Sequence, residues 1–260
     1  MNLPIYQVDA FTDHLFGGNP AAVCPLTEWL PAETMQQIAN ENNLSETAFF
    51  VQEGNHFHIR WFTPELEIDL AGHPTLATAF VIFNYLGYNE PSIHFTSKSG
   101  SLIVHKKDDL LEMDFPSRMP KPHPHHEIAL MEGINQQPQE ILKSRDFVLV
   151  YNTAEEVKKF KPDFEWLNRL DTLGIIVTAP GNDCDFVSRF FVPNSVIGED
   201  PVTGSAHATL TPYWSKKLNK KVLVAKQISK RGGLLWCEDK GERVTIAGKA
   251  VLYMKGEYFL

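Results

Sequence analysis

The stretch from Gly198 to Leu210, GEDPVTGSAHATL, brings together the residue types needed for proton transfer on an anion. Two carboxylates, Glu199 and Asp200, precede a proline turn, and Gly204 and Ser205 then open a segment of helical character. The first N–H groups of a helix lack partners within it and sit at the positive end of its dipole, so a small carboxylate could be held there beside Asp200. Glu46 is the other candidate carboxylate. It lies between Ser45 and Thr47 and just ahead of the apolar run AFFV, tethered by polar neighbours yet partly desolvated. Such a group suits a role in which a proton is taken in one step and returned in the next. The plainer alternative is a surface glutamate at a strand entrance. His73 follows Gly72 at a second helix start, where the plain reading is a packing histidine; for Asp200 the plain reading is a helix cap.

Other residues carry weaker signals. Ser205 is not set in a G-x-S-x-G elbow, so it reads as a binding group rather than a nucleophile. His207, one turn further on, reads as a core or supporting residue. The run HPHHE at His123 to Glu127 invites a metal reading, but its prolines favour a solvated, irregular segment, and no metal site is assigned. GGNP at Gly17 to Pro20 is not a dinucleotide fingerprint, and there is no P-loop, so no cofactor is expected. Cys24, Cys184 and Cys237 form no CxxC pair and read as reduced thiols.

The elements that must position these groups occur twice. RWFTPELEIDLAGHPTLATAF from Arg60 is echoed by RFFVPNSVIGEDPVTGSAHATL from Arg189, and SGSLIVH by RGGLLWC. Arg60 to Arg189 is 129 residues, Gly72 to Gly204 is 132 and Gly100 to Gly233 is 133, and within this match Asp69 is set against Asp200. Each copy supplies short alternating strands and one helix: residues 74–86, apolar on nearly every face, and residues 205–218, where Pro212 predicts a kink or break. A further helix is expected over 31–40 and a short one over 164–170. The prolines at 116, 120, 122 and 124 mark a linker. The expected fold is α+β: two pseudo-symmetric domains, residues 1–117 and 118–260, each a mostly antiparallel sheet wrapped round a central apolar helix, with the two helix N-termini facing a shared cleft.

Composition bounds the function. Of 260 residues 43% are hydrophobic and 22% charged, as in ordinary folded proteins. A formal charge of −8 and a pI near 5.7 argue against a nucleic-acid partner. The N-terminal MNLPIYQVDAFT has no basic region leading into an apolar one, and the most apolar run is too short for a bilayer, so a cytoplasmic protein with no membrane partner is expected.

Taken together, GNPAAV, LSETAF, FTPELEIDLAGHPTLA and EDPVTGSAH, with QVDAFT near the start and RGG near the end, resemble the PhzF-like isomerase family of phenazine biosynthesis. The likeness runs over nearly the whole chain. One departure is Pro74, where a small residue such as Ala is usual, and proline is well suited to the first turn of a helix. The resemblance implies the diaminopimelate epimerase fold, in which the last strand often packs back on the first domain. It also implies a cofactor-independent isomerase with Glu46 as general acid and base. His73 and Asp200 would contact and polarise the substrate, and the N–H groups at Gly72, Gly204 and Ser205 would hold its carboxylate. A homodimer acting on a small carboxylate-bearing, cyclic unsaturated metabolite follows from the same likeness; the family's namesake acts on a dihydro-hydroxyanthranilate. Epimerases of this fold place a cysteine before each of those glycines, where this chain has Ala71 and Thr203, so a two-thiol racemase is disfavoured. An epimerase or racemase acting alpha to a carboxylate, and a non-catalytic interaction protein that keeps the fold, remain the rival readings.

Overall fold

The computed structural model describes residues 2–124 and 127–260, and the chain divides into two compact units, residues 1–114 with 247–260 and residues 115–246. In the first unit β1 (Asn2–Ala10) lies antiparallel to β2 (Asn19–Leu26) on one side and to the C-terminal strand Ala250–Phe259 on the other. After α1 (Ala32–Asn42), β3 (Glu46–Glu53) runs parallel to β2 and antiparallel to β4 (His56–Phe62). Two-residue β5 (Glu67–Ile68) folds back on β4. Following α2 (Gly72–Tyr85), β6 (Ser92–Ser97) returns parallel to β4 and leads into the meander β7 (Gly100–Lys107) and β8 (Leu110–Pro116).

The second unit repeats this wiring. Strand β9 (Lys121–Pro122) pairs with β10 (Glu140–Lys143), and β10 lies antiparallel to β11 (Phe147–Val150). The helices α3 (Ile128–Glu132), α4 (Ala154–Lys159) and α5 (Phe164–Leu167) intervene before β12 (Ile175–Pro180), which is parallel to β11 and antiparallel to β13 (Phe186–Val192). Short β14 (Gly198–Asp200) folds back on β13, α6 (Gly204–Leu218) follows, and β15 (Val222–Gln227) runs parallel to β13 and antiparallel to β16 (Gly233–Asp239), with β17 (Arg243–Gly248) last. The fold class is α+β, as the sequence predicts.

Burial explains the arrangement. Nearly all of α2 from His73 to Phe83 is buried, and the hydroxyls of Thr75 and Thr78 bond back to the carbonyls of Ala71 and Pro74, which lets polar residues sit inside. Alternate residues of β2 and β3, Ala22, Cys24, Phe49 and Val51, turn to the opposite face and pack with Met35 and Ile38 of α1. In the second unit Phe147, Leu149, Val177 and Phe191 pack with Leu130, Val157 and Leu167 from the three short helices. The sequence pattern gave no warning of α3. For α4 a signal was present, the T-x-x-E capping box of Thr153 and Glu156.

Three expectations are corrected. The proline-rich segment is not wholly irregular, since Lys121 and Pro122 pair with Lys143 and Leu142. Pro212 does not break α6, which runs from Gly204 to Leu218 as one element. A proline there strips the Ala208 carbonyl of its helical donor, and the N–H of Arg118 takes that donor's place at 3.0 Å. Lastly, Asp200 faces Phe190 across β13 and β14 as Ile68 faces Trp61 across β4 and β5. The counterpart of Asp69 is therefore Pro201, and it is Glu199 that corresponds to Glu67.

That last pair forms a clip in both units. Arg60 is bidentate to Glu67 at 2.7 and 2.9 Å, and Arg189 to Glu199 at 2.7 and 2.8 Å. Hydrogen bonds from Arg60, aided by Lys98 and opposed by burial, hold Glu67 at about 2, below its ordinary 4.5. The folded pKa is depressed, so this stability is present above 4.5 and drains away as the pH falls towards 2. Arg189 also donates to the carbonyls of Val157, Lys158 and Phe160 at the end of α4. Arg189→Leu should thus cost roughly 2–3 kcal/mol by leaving Glu199 and those carbonyls unsatisfied in a partly exposed setting. Urea unfolding would measure it, and a loss below about 0.5 kcal/mol would contradict the clip.

Candidate functional site

In the first unit, Glu46 opens β3 and His73 lies in the first turn of α2, and the two converge. Glu46 Oε2 is 3.1 Å from His73 Nε2, with 16% and 6% of the respective side chains exposed. His73 Nε2 is itself buried without a hydrogen bond. On the far side of the ring, Nδ1 is 3.1 Å from Asn19 Nδ2, while Asn19 Oδ1 accepts from the Ser45 hydroxyl at 3.4 Å. Burial drives the His73 pKa down to about 3 against the opposing pull of the Pro20 carbonyl, so the ring is neutral at pH 7.

In the sequence Asn19 belongs to the GGNP turn and to the GNPAAV run, with no role of its own assigned. It is fully buried in β2, and the turn explains its placement. Gly18 sits at φ +61, and a Cβ there would lie 2.2 Å from the Ala10 carbonyl oxygen, so only glycine lets the chain present Asn19 to His73.

In the second unit, Asp200 ends β14 and Thr203 is the N-cap of α6. Asp200 Oδ2 accepts a 2.5 Å bond from the Thr203 hydroxyl. The N-cap residue of α6, Thr203, makes no side-chain capping bond, and neither does Ala71, the N-cap of α2. The first-turn N–H groups at Gly72–His73 and Gly204–Ser205 thus receive no bond from their own N-cap side chains. Ser205 Oγ accepts from Arg145 at 3.1 Å, and Arg145 is in turn paired with buried Asp146 at 3.0 Å. Sequence reasoning missed Arg145, which lies 60 residues from Ser205 with no motif round it. His207 is fully buried, with Nδ1 2.8 Å from the Thr203 carbonyl, matching its expected supporting place.

The thiols lie apart from these groups. Burial pushes Cys24 and Cys237 up to about 12 and raises Cys184, so none is a ready nucleophile at neutral pH. Of the HPHHE segment, His125 and His126 fall outside the described residues, while His123 and Glu127 lie 3.7 Å apart. Among the described residues no helix is long and apolar enough to cross a membrane.

Two repeats, each starting a buried helix beside a polar cluster, define a fold shared with epimerases. A hydroxyproline epimerase from Agrobacterium vitis superposes with a TM-score of 0.63 at 10% identity, covering 99% of this chain and 91% of that one. Closer likenesses fix the family. The description "Phenazine biosynthesis-like protein" matches residues 8–256. An uncharacterized isomerase of Pseudomonas aeruginosa is 48% identical over the full length of both chains. A PhzF-family phenazine biosynthesis protein from Enterococcus faecalis has a TM-score of 0.97 at 52% identity, with 100% of each chain covered. The chain belongs to the phenazine biosynthesis-like, or PhzF, family, and it is an isomerase.

Proposed function

We propose that the protein is a cofactor-independent isomerase that shifts a proton within a small, carboxylate-bearing, cyclic unsaturated metabolite, with Glu46 carrying the proton between carbons. The observation that supports this most is the Glu46–His73 pair, a carboxylate beside a neutral imidazole at the start of a helix whose N-cap residue, Ala71, makes no side-chain capping bond. In this reading those N–H groups, with the ones at Gly204 and Ser205 of α6, hold the substrate carboxylate, and Asp200 and His73 polarise the ring from which the proton leaves. Glu46, 3.1 Å from a neutral histidine, takes the proton from one carbon and returns it to another without a metal. The same reading includes a two-fold assembly of this 29.5 kDa chain, which light scattering would register as twice that mass.

The test is incubation of the metal-free protein in D2O with a panel of cyclic unsaturated carboxylates that includes dihydro-hydroxyanthranilate. NMR should show one deuteron entering the carbon that gains a proton as the double bond moves. Exchange confined to the carbon alpha to the carboxylate, with inversion and no double-bond shift, would replace this reading with an epimerase. Dependence on an added divalent ion would also overturn it.

A further inference from the structure

The hydrogen-bond directions round Asp200 are fixed by a residue far from it in sequence. Gln227, the last residue of β15, is 1% exposed, and its amide cannot be placed in either sense. Its Oε1 lies 2.9 Å from the Thr203 N–H, which can only donate, and its Nε2 lies 2.8 Å from the Asp200 carbonyl, which can only accept. The same Nε2 reaches Thr203 Oγ1 at 3.3 Å. The threonine hydroxyl thus receives a hydrogen on one side and must give its own elsewhere, and it gives it to Asp200 Oδ2 at 2.5 Å. Thr203 is also an N-cap that caps nothing. A threonine in that place ordinarily accepts a first-turn N–H, an interaction of about 1 kcal/mol, so its hydroxyl has forgone the usual partner in favour of Asp200.

We infer that Gln227 and Thr203 are positioning residues: Gln227 sets the direction of the Thr203 hydroxyl, and that hydroxyl holds Asp200 as a hydrogen-bond acceptor in one orientation towards the substrate. This rests on the reading of Asp200 as a substrate-facing group. It assigns a part to the one side chain that stands before Gly204 and explains why a hydroxyl is found there. Neither residue touches the reacting atoms; they act through the carboxylate.

Three variants test it. Thr203→Ser keeps the hydroxyl, and kcat should stay within about 2-fold of wild type. Thr203→Val keeps the shape without it, and kcat should fall about 10- to 100-fold, the share of one hydrogen bond to a charged group, while KM moves much less. Gln227→Glu puts an acceptor where Nε2 donates, so the hydroxyl should turn to the new carboxylate and kcat should fall as in Thr203→Val. Equal losses in Thr203→Ser and Thr203→Val, or normal kcat in both Thr203→Val and Gln227→Glu, would overturn the inference. A crystal structure of Gln227→Glu provides a reading that needs no substrate. The Thr203–Asp200 contact should open there, and its persistence at the same distance would refute the assignment even if the isomerase reading stood. If the D2O panel yields no turnover but the contact opens, the positioning role holds and it is the functional reading that fails.

Discussion

Glu46→Gln should bind ligand within about 2- to 3-fold of wild type and turn it over at least about 100-fold more slowly, the lower end of what a positioned acid–base group contributes. The substitution separates chemistry from structure because of the surroundings of Glu46. Its Oε2 lies 3.1 Å from a neutral imidazole, and a glutamine can set its amide oxygen in that place, so the start of β3 and the first turn of α2 keep their packing. What the amide cannot do is accept a proton from carbon and return it. Single-turnover kinetics with a substrate from the D2O panel would measure the loss, with thermal unfolding as the check on the fold. A near-normal rate in Glu46→Gln together with an inactive Cys184 or Cys237 variant would point to a thiol mechanism instead. The structure weighs against that outcome, since burial raises both thiols out of the reactive range.

The parts of this architecture that were legible in the sequence are those written in local pattern. A helix apolar on every face has to be wrapped, and α2 is. The internal repeat was visible in its glycines and aromatic pairs and returns as the same order of parallel and antiparallel pairings in both units. Asp69 and Asp200 share a letter but not a structural position, because the chain between strand and clip differs in length. Arg60 and Glu67 are 7 residues apart, Arg189 and Glu199 are 10 apart, and the extra residues lie in the turn between strand and clip. Hydrogen-bond register resolves what spacing could not. Pro212 leaves α6 unbroken for a different reason: the donor to the Ala208 carbonyl comes from Arg118, 90 residues before Ala208 and invisible to any local window. Asn19 and Gln227 share that character. They are uncharged, isolated side chains whose partners lie 54 and 24 residues off, and only the folded chain shows that both amides are fully committed.

Acidification should unfold the protein more steeply than its carboxylates alone would require, because two buried histidines must charge. Burial takes His73 from 6.5 down to about 3 and His207 from 6.5 down to about 4. Both folded values are depressed, so below pH 6.5 the unfolded chain binds protons that the native chain refuses. The sign follows directly: the stability due to each neutral ring is complete above 6.5 and is lost as the pH falls towards its folded value. Each contributes a slope of up to about 1.4 kcal/mol per pH unit across that window. His207 offers the cleaner test, since its Nδ1 is 2.8 Å from the Thr203 carbonyl and must therefore carry the proton, while Nε2 is buried without a partner. In His207→Asn the amide nitrogen can take over the bond to Thr203, and nothing is left there to titrate. Urea unfolding of wild type and His207→Asn at a series of pH values from 7 to 4.5 should show the variant's curve flatter by about one proton's worth, roughly 1.4 kcal/mol per pH unit. Parallel curves would mean that the imidazole charges within the fold, and the buried neutral ring assigned beneath the Thr203 carbonyl would then be wrong.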